Sequence, residues 1–187
     1  EVDKYMYNRF NELKTFMLDS YERYDYVTMY QTVQNFINVD LSNFYLDYGK
    51  DILYIESADA PIRRSLQTVL YKILKELNLI LAPVLVHTAE EIYEHTPHTD
   101  KESVHLEYYP EREETDTALV EKWQKFMTVR DDVYKALEVA RNEKVIGKSL
   151  DAKVTLTQPA DFNLDDIRGN LEQFFIVSQV EVAETVA

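Results

Sequence analysis

The stretch NVDLSNFYLDYGKDILYI, from Asn38 to Ile55, sets the strongest limit on what this chain can fold into. Its Leu41, Phe44, Tyr45, Tyr48, Ile52 and Ile55 recur at three-, four- and seven-residue spacing, which on a helix gathers them on one face. Asp40, Asn43, Asp47, Lys50 and Asp51 fall elsewhere, so the apolar face must be buried against other helices. Gly49 lies inside the pattern and costs about 1 kcal/mol relative to alanine there. That cost points to a bend or a close helix contact.

The same period continues on both sides. Residues 2–23 place Val2, Met6, Phe10, Leu13, Phe16, Met17 and Tyr21 at helical spacing, broken near Tyr24 to Tyr26. A second helix starts at Tyr26 and runs toward Asn38, into the opening segment. In SADAPIRR, Asp59 can cap and Pro61 suits the first turn of a helix over Ile62 to Leu81, which Ala82-Pro83 ends. Thr88 to Glu91 has the pattern of a capping box. Residues 96–116 hold two prolines and an acidic excess, which predicts a solvated surface connection. A long helix then covers Asp116 to Glu143, with Leu119, Trp123, Phe126, Met127, Val133, Leu137 and Ala140 inward.

After Gly147 the period changes. Ala152 to Gln158 and Phe175 to Val182 alternate like strands, with a short helix over Asn163 to Phe174 between them. Three glycines and five prolines in 187 residues leave few sites for tight turns. The expected fold is mainly α: a helical bundle over residues 1–145, followed by a small α+β subdomain over 146–187 closed against the last long helix.

With no cysteine, disulfides, thiolate nucleophiles and Cys-type zinc sites are excluded. No apolar run approaches the roughly 18 residues of a membrane span, and EVDKYMYNRF shows no targeting pattern, so a cytoplasmic, monomeric protein is expected. The missing initiator methionine suggests an excised fragment.

The net charge of −14 opposes unassisted binding to phosphate backbones, yet residues 61–80 carry +3 and 117–150 carry +2. Arg63, Arg64, Lys72 and Lys75, with Arg130, Lys135, Arg141, Lys144 and Lys148, are therefore candidate phosphate contacts. The competing reading is ion pairing with the many acids, such as Arg64 with Asp47 or Asp51. Most of the 14 tyrosines and eight phenylalanines belong to the core or its rim, leaving one or two exposed rings for base stacking.

Three chemical patterns are incomplete. His87, Glu91 and His95 share a helix face that could grip a divalent metal, but no HExxH is present and Glu91 is assigned to the capping box. Gly147-Lys148-Ser149 resembles the end of a phosphate loop, but Asn142 stands where the first glycine belongs and a helix precedes it. Gly147 reads instead as a helix C-cap, with Arg141, Lys144 and Lys148 near the negative end of the dipole. No serine has the context of a hydrolase nucleophile.

DLSNFYLDYGKDILY at Asp40 to Tyr54 closely resembles the anticodon-binding domain of bacterial isoleucyl-tRNA synthetases. YQTVQNFINVD (Tyr30–Asp40), IRRSLQTVLY (Ile62–Tyr71), LAPVLVHTAEEIYEHTP (Leu81–Pro97) and ALEVARNEKVIGKSLDAKV (Ala136–Val154) agree with it in order. The resemblance implies a class I synthetase fragment, a helical bundle that holds an anticodon stem and loop and carries a small α/β extension. The family attaches isoleucine to tRNA with ATP. This chain has neither the HIGH nor the KMSKS signature, so the fragment is expected to be non-catalytic and without cofactor, ATP and zinc belonging to other domains of the parent.

The implied partner is the isoleucine-accepting tRNA, with no DNA and no membrane. Family members usually carry a basic helix upstream and often a cysteine-rich zinc module downstream, so weak affinity is expected of the fragment alone. Asn8 and Arg9 match a family pattern in the first helix, and Arg130, Arg141, Lys144 and Lys148 match the ending helix and its turn. These residues are expected to face RNA. The alternatives are the equivalent domain of a valine- or leucine-specific relative, which the wording DLSNFYLDYGKD disfavours, an acidic helical interaction scaffold without RNA, and an enzyme using the His87, Glu91 and His95 row.

Overall fold

The computed structural model describes residues 1–157, 163, 164, 167 and 171–183. The chain divides into two compact units, Glu1–Asp116 and Thr117–Ala187. The division expected at residue 145 thus falls before the long helix instead, and that helix belongs with the α+β part.

In the first unit, α1 (Val2–Arg23) buries Tyr5, Met6, Phe10, Leu13 and Met17, and ends where Tyr24 turns left-handed at φ 59°. Asp25 caps α2 (Tyr26–Asn35) by accepting from the Thr28 amide at 3.2 Å. From α2 the helix continues without a break through a π-helical segment, Phe36–Leu46, into α3 (Asp47–Ile55).

The π winding has a packing cause. At about 100° per residue, an unbroken α-helix would set Tyr45 half a turn away from Phe36, nine positions earlier. Both are nevertheless buried, at 0% and 2% exposure. The wider i→i+5 turns keep both rows inward. Asp40, expected off the apolar face, continues the upstream Val33 and Phe36 row at four-residue spacing and is itself buried. At the far end Ile55 is exposed, because the helix stops there.

α4 (Pro61–Leu81) begins with Pro61 in its first turn, but Ala60 takes the N-cap position and Asp59 makes no capping bond. Arg64 lies 3.9 Å from Asp59, in place of the expected Asp47 or Asp51. Gly49 marks a close helix contact: a Cβ there would sit 2.9 Å from Cδ2 of Leu66, which is fully buried on α4. The Thr88 capping box does not form, since α5 (Val86–His95) starts two residues earlier on main-chain turns from Leu81 and Leu85. Asn78 of α4 donates to the Ala89 carbonyl at 2.9 Å and ties α5 down.

The connection over 96–116 is more firmly held than a solvated loop. Val104 is buried in a short 3₁₀ turn (Val104–Leu106), and Glu90 accepts from Ser103 Oγ and the Val104 amide at 2.8 and 3.0 Å. Farther along, Glu113 meets the buried Lys14 at 2.9 Å, and Arg112 bridges Asp19 and Glu22, each at 2.8 Å.

In the second unit, α6 (Thr117–Asn142) packs on α7 (Leu171–Phe175) through four rings, with Phe126 5.5 Å from Trp123, 5.4 Å from Phe174 and 5.8 Å from Phe175. β1 (Lys153–Thr157) and β2 (Gln179–Ala183) pair in parallel, in register from Lys153 with Gln179 to Thr157 with Ala183. The strand expected from Phe175 starts four residues later, because Phe174 and Phe175 finish α7 in the aromatic core. Gln158 and most of the linker expected to be helical before α7 lie outside the described residues.

Candidate nucleic-acid interface

Each cation proposed from the sequence can be followed to its surroundings. Asn8, half-buried on α1, spends its amide on main chain: Nδ2 donates to the Lys4 carbonyl at 2.8 Å and Oδ1 accepts the Asp116 amide at 2.7 Å. It positions the end of the connection. Arg9, one residue on, is held between Glu12 and Asp40, the latter at 3.3 Å. Burial pushes the Asp40 carboxyl above its ordinary range, and the neighbouring Arg9 charge works against that rise.

Arg9, Glu12 and Asp40 line a cavity of about 290 Å³, together with Phe16, Asn35 and Phe36 at the junction of α2 and the π segment. The sequence did not single out this group. Its one visible signal is the four-residue step from Phe36 to Asp40, hidden because the downstream rows carry a different phase.

The basic stretch of α4 is largely committed. Arg63 donates to the Glu56 carbonyl at 2.7 Å, and the Lys72 ammonium lies 4.6 Å from the Tyr7 ring centre, in cation–π range. Lys14, one turn from Phe10 on α1, is fully buried with Glu76 at 2.8 Å and Glu113 at 2.9 Å.

In the second unit the family-matched cations separate. Arg130 is buried at 7% exposure; its Nε donates to the Phe174 carbonyl at 3.1 Å, a second nitrogen donates to the Tyr134 hydroxyl at 3.0 Å, and the guanidinium stacks over that ring. It joins α6 to α7. Arg141, Lys144 and Lys148 are exposed at the end of α6 and in the turn beyond it, and the ion pairs among the described residues include none of the three. Lys144 itself closes the helix in the left-handed region at φ 59°, its amide donating to the Arg141 carbonyl at 3.0 Å and that of Val145 to the Ala140 carbonyl at 2.9 Å. The cap expected at Gly147 is therefore made by a lysine.

The chain has a family match to the anticodon-binding domain of tRNA ligase over residues 3–156. It belongs to that family. It is 58% identical over 187 residues to the isoleucine–tRNA ligases of Staphylococcus aureus strains JH9, Newman and N315, across 98% of this chain and 20% of each relative. The chain thus spans about a fifth of the length of these curated relatives.

For an anticodon-binding domain, the accessible cations are the ones that matter, because phosphate affinity comes from cations that can exchange counterions for phosphates. Arg141, Lys144 and Lys148 meet that condition; Arg130 does not. The His87, Glu91 and His95 row makes no metal centre: His95 Nδ1 lies 2.8 Å from the Glu91 carbonyl, and among the described residues no three His, Asp or Glu side chains converge to hold an ion. No described helix is long and apolar enough to cross a membrane.

Proposed function

We propose that this anticodon-binding domain is the tRNA-holding module of an isoleucine–tRNA ligase, with aminoacylation and its ATP chemistry carried by the parts of the parent that this segment does not span. The supporting observation is the exposed group Arg141, Lys144 and Lys148, accessible cations in a chain of net charge −14, with a left-handed lysine at its centre. Its partner on this reading is the isoleucine-accepting tRNA, bound by a monomeric cytoplasmic module that takes no cofactor, DNA or membrane of its own. The 58% identity to isoleucine ligases supports that choice over the valine and leucine relatives.

The test is a titration of the chain with isoleucine and leucine anticodon stem-loops at several salt concentrations. Expected is tighter binding of the isoleucine stem-loop, weakening steadily with salt. The double variant Arg141→Glu with Lys148→Glu should weaken binding of both RNAs and flatten the salt dependence by roughly one unit of slope per lost phosphate contact. In the parent ligase it should raise KM for tRNA. A variant that binds RNA as the wild type does removes these cations from the interface, and a flat, unselective signal from the wild type favours the scaffold reading.

A further inference from the structure

The connection between α5 and α6 is held in two different ways. As far as Glu107 it is anchored by main chain and core: Val104 is buried, and Glu107 donates its amide to the Val104 carbonyl at 3.2 Å while its carboxylate accepts from the Tyr93 hydroxyl at 2.7 Å. Beyond that point the fastening changes. Among the described residues, 108–114 make no hydrogen bond from main chain to main chain.

Instead the segment runs back along α1, fastened by side chains at four points. Tyr109 stacks on Tyr21 with ring centres 6.2 Å apart, and Arg112 bridges Asp19 and Glu22, each at 2.8 Å. Glu113 accepts from the Tyr7 hydroxyl at 2.7 Å and the Lys14 ammonium at 2.9 Å, and the Asp116 amide donates to Asn8 Oδ1 at 2.7 Å. The partners descend from Tyr21 to Asn8, about 20 Å of helix axis at 1.5 Å per residue. The chain from Tyr109 to Asp116 reaches about 25 Å at full extension, so it lies nearly taut.

We propose that residues 109–116 form a releasable strap, which lifts from α1 as a unit while the helices stay folded, and that acid lifts it by discharging Glu113. The inference does not depend on RNA being the ligand. A segment with few buried apolar contacts opens at lower free energy than the core beneath it. Neither outer fastening is sealed, since Tyr109 is half exposed and Arg112 meets its acids in solvent.

The central clasp is Glu113. Tyr7 and Lys14 of α1 and Lys72 and Glu76 of α4 surround it, with Arg112 and Glu114 beside it in the strap. Burial works to raise its carboxyl, but Lys14, Tyr7 and Lys72 together hold it below the ordinary value of 4.5. Its contribution to closure is therefore complete above that value and lost as pH falls through the folded one. Tyr7 adds no transition near neutrality, because burial, Glu113 and Glu76 push its hydroxyl far up and keep it a donor. Open, the strap leaves Lys14 paired with Glu76 alone.

The Asp116 amide reports closure, because its acceptor is on α1. Hydrogen exchange of the whole chain, followed by NMR in rising urea below the unfolding transition, should show this amide exchanging with little dependence on urea. The Phe10 and Met17 amides should be far slower and depend on it strongly. At pH 7, Glu113→Gln should speed Asp116 exchange about fivefold without changing its urea dependence. Arg112→Gln should speed it about twofold, an effect that about 0.5 M salt removes. Corrected for the intrinsic exchange rate, opening of the wild type should increase as pH falls below about 4.5, and opening of Glu113→Gln should not.

If the Asp116 amide shares the rate and urea dependence of the α1 core, the segment opens only when the unit unfolds, and there is no strap. An acid response that persists in a folded Glu113→Gln variant overturns Glu113 as the clasp.

Discussion

α1 and the end of α6 both carry cations that a sequence reader would offer to RNA, and the fold treats them in opposite ways. On α1, Arg9 faces Glu12 and Asp40, and Lys14 is sealed with Glu76 and Glu113. Past the end of α6, Lys144 and Lys148 meet solvent. The difference shows that in a chain this acidic, the carboxylates that tertiary structure brings to a cation decide its availability. Local positive charge is a poor guide: within the +3 stretch over 61–80, Arg63 donates to the Glu56 carbonyl and Lys72 lies over the Tyr7 ring.

The largest way to break this contrast is at Lys14. Its ammonium is fully buried, so Lys14→Ala removes the cation that Glu76 and Glu113 share and opens a cavity beside Phe10. Removing one partner of a buried ion pair costs about 3–5 kcal/mol, and the lower end of that range is expected here because Glu113 is 44% exposed and keeps its hydrogen bond from Tyr7. Urea unfolding should read that loss directly. A change below about 1 kcal/mol would mean that the pairing merely accompanies packing by Phe10 and Met17.

A smaller effect is expected where the same network meets solvent. Burial works to raise the Glu113 carboxyl, but the hydrogen bonds from Lys14 and Tyr7 outweigh it and hold the group below its ordinary value of 4.5. A carboxyl depressed by folding contributes stability that is complete above its unfolded value and lost as pH falls through the folded one. Glu113→Gln should therefore cost about 1 kcal/mol at neutral pH, a figure kept low because the side chain is 44% exposed. The deficit should shrink below about pH 4.5. Denaturation midpoints at pH 7, 5 and 3 test the sign, and a deficit that grows toward acid would contradict it.

Much of the fold was legible because long helices repeat their signal. The bounds of α1 and α4, the break at Tyr24 and the close contact at Gly49 follow from apolar spacing and the placement of glycine and proline. The π segment was not legible, since two helical phases meet at Phe36 to Tyr45 and spacing alone reads only the stronger. Which candidate cations are exposed was only half legible. Arg130 and Arg141 are both arginines on one helix, yet one lies under Phe174 and the other in water, a difference set by residues over 40 positions away. Domain division failed for the same reason: Trp123 and Phe126 look like bundle residues until Phe174 and Phe175 are seen to cover them.

The smallest expected effect separates folding from binding most cleanly. Lys144 closes α6 at φ 59°, a conformation that costs a residue with a Cβ about 1–2 kcal/mol and glycine almost nothing. Replacing it removes a cation from the helix C-terminus, worth about 0.3–1 kcal/mol in the other direction, and loosens the unfolded chain. Lys144→Gly should thus stabilise the chain by about 0.5 kcal/mol net, while weakening stem-loop binding and reducing its salt dependence. For Arg9 and Lys14 on α1 no such opposition exists, because both are paired within the fold and their loss lowers stability. If Lys144→Gly leaves RNA binding untouched, the left-handed lysine is only a cap, and the contrast between the two regions reduces to burial alone.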